Sequence, residues 1–174
     1  MVCSNGENGS EVTCDGFGEV WGPNQKTGSH NLVIGAGHSY TDHGGLLAGF
    51  ANAVNRQWSS VVGGANNRAS GPFSSVSGGA ENISVDEATS VSGGFGNQAT
   101  DFVGSVTGGF ANIASGRYGT VSGGGQNVAS GDYSSVSGGT QNAATSQFSS
   151  VSGGWNRSAI GVFSWRAGGL FQDD

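Results

Sequence analysis

The sequence predicts an all-β parallel solenoid, a β-roll of about ten rungs of 13–15 residues each. Three observations predict it. A four-residue phrase returns every fifteen residues without an insertion, from Val61-Val62-Gly63-Gly64 through Val76-Ser77-Gly78-Gly79 to Val151-Ser152-Gly153-Gly154. In each phrase after the first, the Val stands between Ser or Thr, the period-two alternation of a strand with one buried face. The apolar residues recur at fixed positions of the period, which a disordered tail has no reason to do. Fixed self-similarity at a short period marks stacked repeats, each rung contacting its neighbours.

Number the Val of each rung as phase one: Val61, Val76, Val91, Val106, Val121, Val136 and Val151. Alternation then puts the Val inside and its hydroxyl neighbours outside. Those neighbours make two candidate surface rows, Ser75, Ser90, Ser105, Thr120, Ser135 and Ser150 at phase fifteen, and Ser77, Ser92, Thr107, Ser122, Ser137 and Ser152 at phase two. Gly-Gly at phases three and four permits positive φ and a sharp turn. Phase seven is Asn at Asn52, Asn67, Asn82, Asn97, Asn112, Asn127 and Asn142. An Asn here suits turn geometry and, stacked rung on rung, can form a hydrogen-bonded ladder along the axis. Phase nine is mostly Ala and opens a second short strand, followed by a second turn. Each rung is therefore expected to hold two strands and two turns, stacked at ~4.8 Å.

Composition narrows the function classes. The 174 residues include 35 Gly, and the net charge is −6 with only 6 Lys and Arg. Nucleic acid and anionic membrane surfaces both require clustered basic residues, so neither is an expected partner. No apolar run approaches the 18 residues of a membrane-spanning helix. Glycine does not recur every third residue as in collagen, and the period is too long for calcium-binding nonapeptide rolls. No nucleophile elbow, phosphate loop or recurring carboxylate pair is present, so no enzyme and no cofactor is expected. Asp86-Glu87 is a lone acidic pair in a turn.

Residues 1–19 read as an N-terminal cap. They are polar and Gly-rich and hold the only cysteines, Cys3 and Cys14. These are expected to form a disulfide, within the chain or between chains, and so to place the protein in an oxidising compartment. The segment has no secretory signal pattern; Met1 set directly before Val2-Cys3-Ser4-Asn5 reads as a start placed on an excised segment. Residues 20–60 read as starter rungs, with Gly22, Gly35, Gly49 and Gly64 at spacings of 13, 14 and 15. Leu32-Val33-Ile34 and Leu46-Leu47 are expected to thicken the core where the solenoid closes, since terminal repeats are commonly atypical. His30, His38 and His43 also lie here and read as surface or turn residues rather than metal ligands. Residues 61–164 are the regular rungs. Residues 165–174 read as a capping half-rung, with Arg166 at the Val phase and Asp173 and Asp174 blunting further stacking.

Two phases carry large rings. Phase thirteen has Trp58, Phe73, Tyr118, Tyr133, Phe148 and Phe163, and phase five has Phe50, Phe95, Phe110 and Trp155. With one Val, one Ala and one aromatic inside, a rung is lean, and a thin two-sheet roll cannot enclose both columns. At least one is expected to face another copy, which predicts a homo-oligomer of side-by-side rods, with three-fold symmetry suiting that arrangement.

The repeat Ser-Val-x-Gly-Gly-x-x-Asn-x-Ala-Ser-Gly-x-x-Ser resembles the head repeat of YadA-type trimeric autotransporter adhesins, which reads Ser-Val-Ala-Ile-Gly, then Ser-x-Ala, then Gly. The stretch 25–35, ending His30-Asn31-Leu32-Val33-Ile34-Gly35, is the closest to it, and the resemblance spans about residues 20–170. It implies a left-handed β-roll, a homotrimer with a shared apolar core, an extracellular or cell-surface location, and attachment to host matrix, glycan or a cell-surface receptor. The chain departs from that pattern at Gly78 and Gly93, where Ile is usual. Two other functions share the physics. The Ser/Thr rows resemble the Thr-x-Thr rows of fifteen-residue ice-binding solenoids, and a trimeric β-rod is also the form of a phage or virion fibre segment.

Overall fold

A computed structural model describes residues 26–167; Cys3, Cys14, Gly22 and the residues from Gly168 onward lie outside the described residues. The described chain is a parallel β-solenoid of about nine turns, with no helix among the described residues. Each regular rung gives a two-residue strand at phases fifteen and one, such as Ser75–Val76, to a ten-stranded sheet. A second two-residue strand at phases eight and nine, such as Ile83–Ser84, joins a nine-stranded sheet. Pairing is parallel and in repeat register, Val61 beside Val76 and Val106 beside Val121.

The fifteen-residue period thus becomes the register of both sheets. The shorter spacings at the start do the same with fourteen, pairing Leu32 with Leu46 and Gly35 with Gly49 in the longer strands Leu32–Ala36 and Leu46–Phe50. A third line of parallel bridges runs along phase five, from Phe50 to Ala65 and on to Trp155. The first turn is therefore tied rung to rung as well, beyond the two strands and two turns read from the repeat.

The interior holds small side chains. Val61 through Val151 at phase one and Ala69 through Ala159 at phase nine are buried and form one continuous cluster with Leu47 and Val54. The aromatic residues expected to complete that core lie outside. Their places are taken by buried Asn at phase seven and by buried Ser or Thr at phase fourteen, including Ser59, Ser74, Thr89, Ser134 and Ser149. The starter rungs do not thicken the core either. Leu47 is fully buried, but Leu32 and Ile34 are 60% and 57% exposed, because strand alternation sends every second residue outward.

The Asn column satisfies the backbone of the first turn. In Asn97, Nδ2 donates to the Gly93 and Gly109 carbonyls at 2.8 and 2.9 Å, and Oδ1 accepts from the Asn112 N–H at 2.9 Å. The same three bonds recur from Asn67 to Asn142, and the last Oδ1 accepts from the Arg157 N–H. The ladder is side chain to backbone, rather than side chain to side chain. It begins one rung earlier than the Asn pattern indicates. Buried His38 takes the same place: its Nδ1 accepts from the Asn52 N–H at 3.2 Å, and its Nε2 bonds the Ile34 carbonyl at 3.1 Å. At the second turn, phase-fourteen hydroxyls do similar work, Ser59 and Ser149 donating to the Arg56 and Ser146 carbonyls at 2.6 Å.

Replacing one rung of the column tests this interior directly. Asn97→Ala leaves the buried Asn112 N–H without its acceptor and opens a small void, a loss of about 3 kcal/mol. Gln98→Ala, one residue along on the outer face, should change stability by no more than about 0.5 kcal/mol. Urea denaturation midpoints of the two variants measure the difference.

Candidate functional site

The functional candidates are the strips that the solenoid lays along its length. On the ten-stranded sheet the two hydroxyl rows lie on the outer side of the buried Val column. The phase-two members Ser77, Ser92, Thr107, Ser122, Ser137 and Ser152 are exposed, and the phase-fifteen members are half-buried apart from exposed Thr120. One hydroxyl pair bonds across a rung, Ser90 Oγ donating to Ser105 Oγ at 3.1 Å. The strip changes character at its ends. Leu32, Ile34 and Val62 expose apolar surface at one end, and Trp165 at the other donates its Nε1–H to Ser152 Oγ at 2.7 Å.

The phase-thirteen residues form a column of rings along the second turn. Tyr118, Tyr133, Phe148 and Phe163 stack at centroid separations of 4.7, 5.1 and 5.0 Å, with interplanar angles of 14° or less. Trp58 and Phe73 form a second stack at 4.9 Å. The faces of these rings are turned to one another, so it is their edges that meet solvent. All are substantially exposed, Tyr133 at 50% and Phe163 at 75%. The column also carries backbone strain. Each of these aromatics has φ between 54° and 59°, in the left-handed region that L-residues enter at roughly 1 kcal/mol or more. Ring stacking, at about 0.5–1.5 kcal/mol per pair, offsets much of that cost.

Phase five makes the opposite edge. Phe95 and Phe110 stack at 5.9 Å, and Phe50, Phe110 and Trp155 are more than half exposed. Between them the column is small: Ala65, Ala80, Gly125 and Thr140. The residue after it, phase six, is also left-handed, at Ala51, Asn66, Glu81, Ala111, Gln126, Gln141 and Asn156. Positive φ was expected of both turn glycines; phase four has it, with φ of 80° at Gly79 and 86° at Gly94, whereas Gly63, Gly78, Gly93 and Gly108 at phase three do not.

The three histidines do not converge. His38 belongs to the interior ladder, His30 bonds Ser29 Oγ at 3.0 Å, and His43 pairs with Asp42 at 2.7 Å and meets Trp58 edge-on. The His43 backbone N–H is the main cause that holds the half-buried Asp42 carboxyl below its usual range. Among the described residues, no three His, Cys, Asp or Glu side chains gather as a metal site would require. The Asp86-Glu87 pair lies exposed in the second turn, with Asp86 Oδ1 accepting from the Glu87 N–H at 2.7 Å.

No family matches. Neither the protein-family models nor the curated proteins contain a match to this chain. The surfaces therefore have to be read on their own chemistry, which is hydroxyl, aromatic edge and turn backbone.

The repeat leaves some of this illegible. Phase fourteen is Ser in most rungs, yet Ser59 and Ser74 sit next to the outward Ser60 and Ser75, and composition does not separate an inward hydroxyl from an outward one. The signal was periodicity alone: phase fourteen lies two residues before the buried Val, so strand alternation carries both inside and leaves phase fifteen between them outside.

Adjacent glycines carry a sharp contrast. A Cβ at Gly94 would lie 2.2 Å from the Gly109 carbonyl oxygen, at a left-handed φ, whereas a Cβ at Gly93 meets nothing within 4 Å. Gly94→Ala is expected to lower the melting midpoint by the equivalent of about 3 kcal/mol or more, and Gly93→Ala to leave it nearly unchanged. Scanning calorimetry of the two purified variants decides it.

Proposed function

We propose that this chain is a non-enzymatic extracellular rod that associates side by side with copies of itself as a homotrimer and attaches its surface to matrix, glycan or another cell. The observation that carries the reading is the pair of exposed aromatic columns. Val, Ala, Asn and Ser or Thr fill the interior of the regular rungs, so the columns remain in solvent, Trp155 and Phe163 at 69% and 75% exposure. Exposed apolar patches beyond a few hundred Å² on a soluble chain mark interaction surfaces. The resemblance of the repeat to trimeric adhesin heads, the acidic balance and the separation of the titratable side chains all support the same reading.

A second reading, ice binding, rests on a different face. The phase-two and phase-fifteen hydroxyls recur in register on a parallel sheet over six consecutive rungs. Thermal hysteresis at micromolar to millimolar protein would support it, and its absence would remove it.

For the main reading, light scattering should give a particle near three times the 17.3 kDa chain mass. The immobilised rod should retain at least one class among matrix proteins, glycans and cells. A folded particle that retains none of them would leave a passive spacer and contradict attachment.

A further inference from the structure

The two aromatic columns are complementary in size, level by level. Phase thirteen of one rung and phase five of the next lie on a single pass of chain across the ten-stranded sheet, as Phe73, strand Ser75–Val76 and Ala80 do. Along the rod, large stands against small. Trp58 and Phe73 lie level with Ala65 and Ala80. Where phase thirteen turns small, at Ala88 and Val103, phase five turns large, at Phe95 and Phe110. Where phase thirteen is large again, at Tyr118 and Tyr133, phase five is Gly125 and Thr140. The starter rung follows suit: Gly44 holds the phase-thirteen position under Trp58, and its level partner is Phe50. Only the last described level, Phe148 with Trp155, is large on both sides.

Packing within the chain does not account for this. The two columns occupy opposite edges of the roll, separated by a pass of seven residues, roughly 20 Å of extended chain. The described ring contacts stay on one edge, Tyr133 with Phe148 or Phe95 with Phe110, with His43 and Phe102 meeting Trp58 and Tyr118 edge-on, and none joins phase thirteen to phase five. Complementary volumes are demanded where surfaces touch, since a contact filled twice clashes and a contact left empty loses its packing.

We infer that the phase-thirteen edge of one copy packs against the phase-five edge of the next copy at the same level, without axial stagger. This rests on the self-association proposed above and says which surfaces make it. A second copy is the occupant because an array with the same rise and the inverse size pattern meets this one at every described level from Gly44 to Tyr133. The ring geometry agrees, since the rings of the longer stack show edges rather than faces and offer no flat platform for a sugar to lie on. Six half-exposed rings supply about 600 Å² of apolar surface on one edge, close to the roughly 800 Å² per partner of a standard interface. A contact between two different edges is heterologous, and such contacts close into a ring when the rotation between copies allows it.

The test is a size exchange read by light scattering on the full chain, with circular dichroism as the check of folding. Ala88→Phe places a ring where the neighbouring copy carries Phe95. Its own chain tolerates rings at that phase, as Phe73 and Phe148 show at the same φ. The variant is expected to fold and to fall from the wild-type assembly mass to the single-chain mass. The double variant Ala88→Phe, Phe95→Ala is expected to restore the assembly, although the two positions do not touch within a chain. Thr140→Tyr, rescued by Tyr133→Thr, asks the same question at another level should Ala88→Phe fail to fold. A filled variant that assembles like the wild type, or a double variant that stays dissociated, overturns the pairing of these edges and leaves self-association standing. A wild-type chain that is monomeric at all concentrations overturns both.

Discussion

The structure depends on the column of buried Asn side chains. The regular rungs of fifteen residues enclose a narrow interior filled by Val, Ala, Asn and Ser or Thr. That interior must nevertheless satisfy the backbone of a tight turn, because an unpaired buried amide or carbonyl costs as much as a lost hydrogen bond. Asn is small enough to fit and has one acceptor and two donor hydrogens, which meet one N–H and two carbonyls in every rung. His38 meets the Asn52 N–H and the Ile34 carbonyl from the same place with a different side chain, which shows that the geometry of the site selects the residue. Val at phase one and Ala at phase nine fill what space remains.

From that constraint the outer surface follows. The aromatic rings of the regular rungs are set on the turns, and they stack along the axis because parallel strands repeat at about the thickness that two rings need, 4.7–5.1 Å in the longer stack. The left-handed backbone under them is local strain held in place by the sheets on either side. An edge built this way is rigid and apolar, and it is periodic with the repeat, which suits it to contact another array of the same period.

The fold was legible in the sequence because its period, its Ser-Val-Ser alternation and its glycine pairs are all local signals. Both sheets, their parallel register and the buried Val column follow from them. Asn97 and its counterparts were legible as a ladder, but the partners of that ladder were not, since the repeat alone does not show that the Gly carbonyls turn inward. The aromatics at Tyr133 and Phe148 were visible as a column, while their side of the wall depended on the width of the interior. The left-handed residues at phase six were hidden because Glu81, Gln126 and Ala111 carry no preference for that conformation; the stacked rungs impose it. Of the candidate surfaces, the hydroxyl rows could be placed from alternation alone, but the size relation between the two aromatic edges becomes meaningful only once they are known to be opposite and apart.

Hydrogen exchange at the side-chain amides, followed by NMR, tests the central claim most directly. The account predicts that the Nδ2 protons of the Asn column from Asn67 to Asn142 exchange orders of magnitude more slowly than the Nε2 protons of exposed Gln126 and Gln141. Equal exchange rates for the two groups would show that the Asn side chains are not the sealed interior of this rod, and would contradict it.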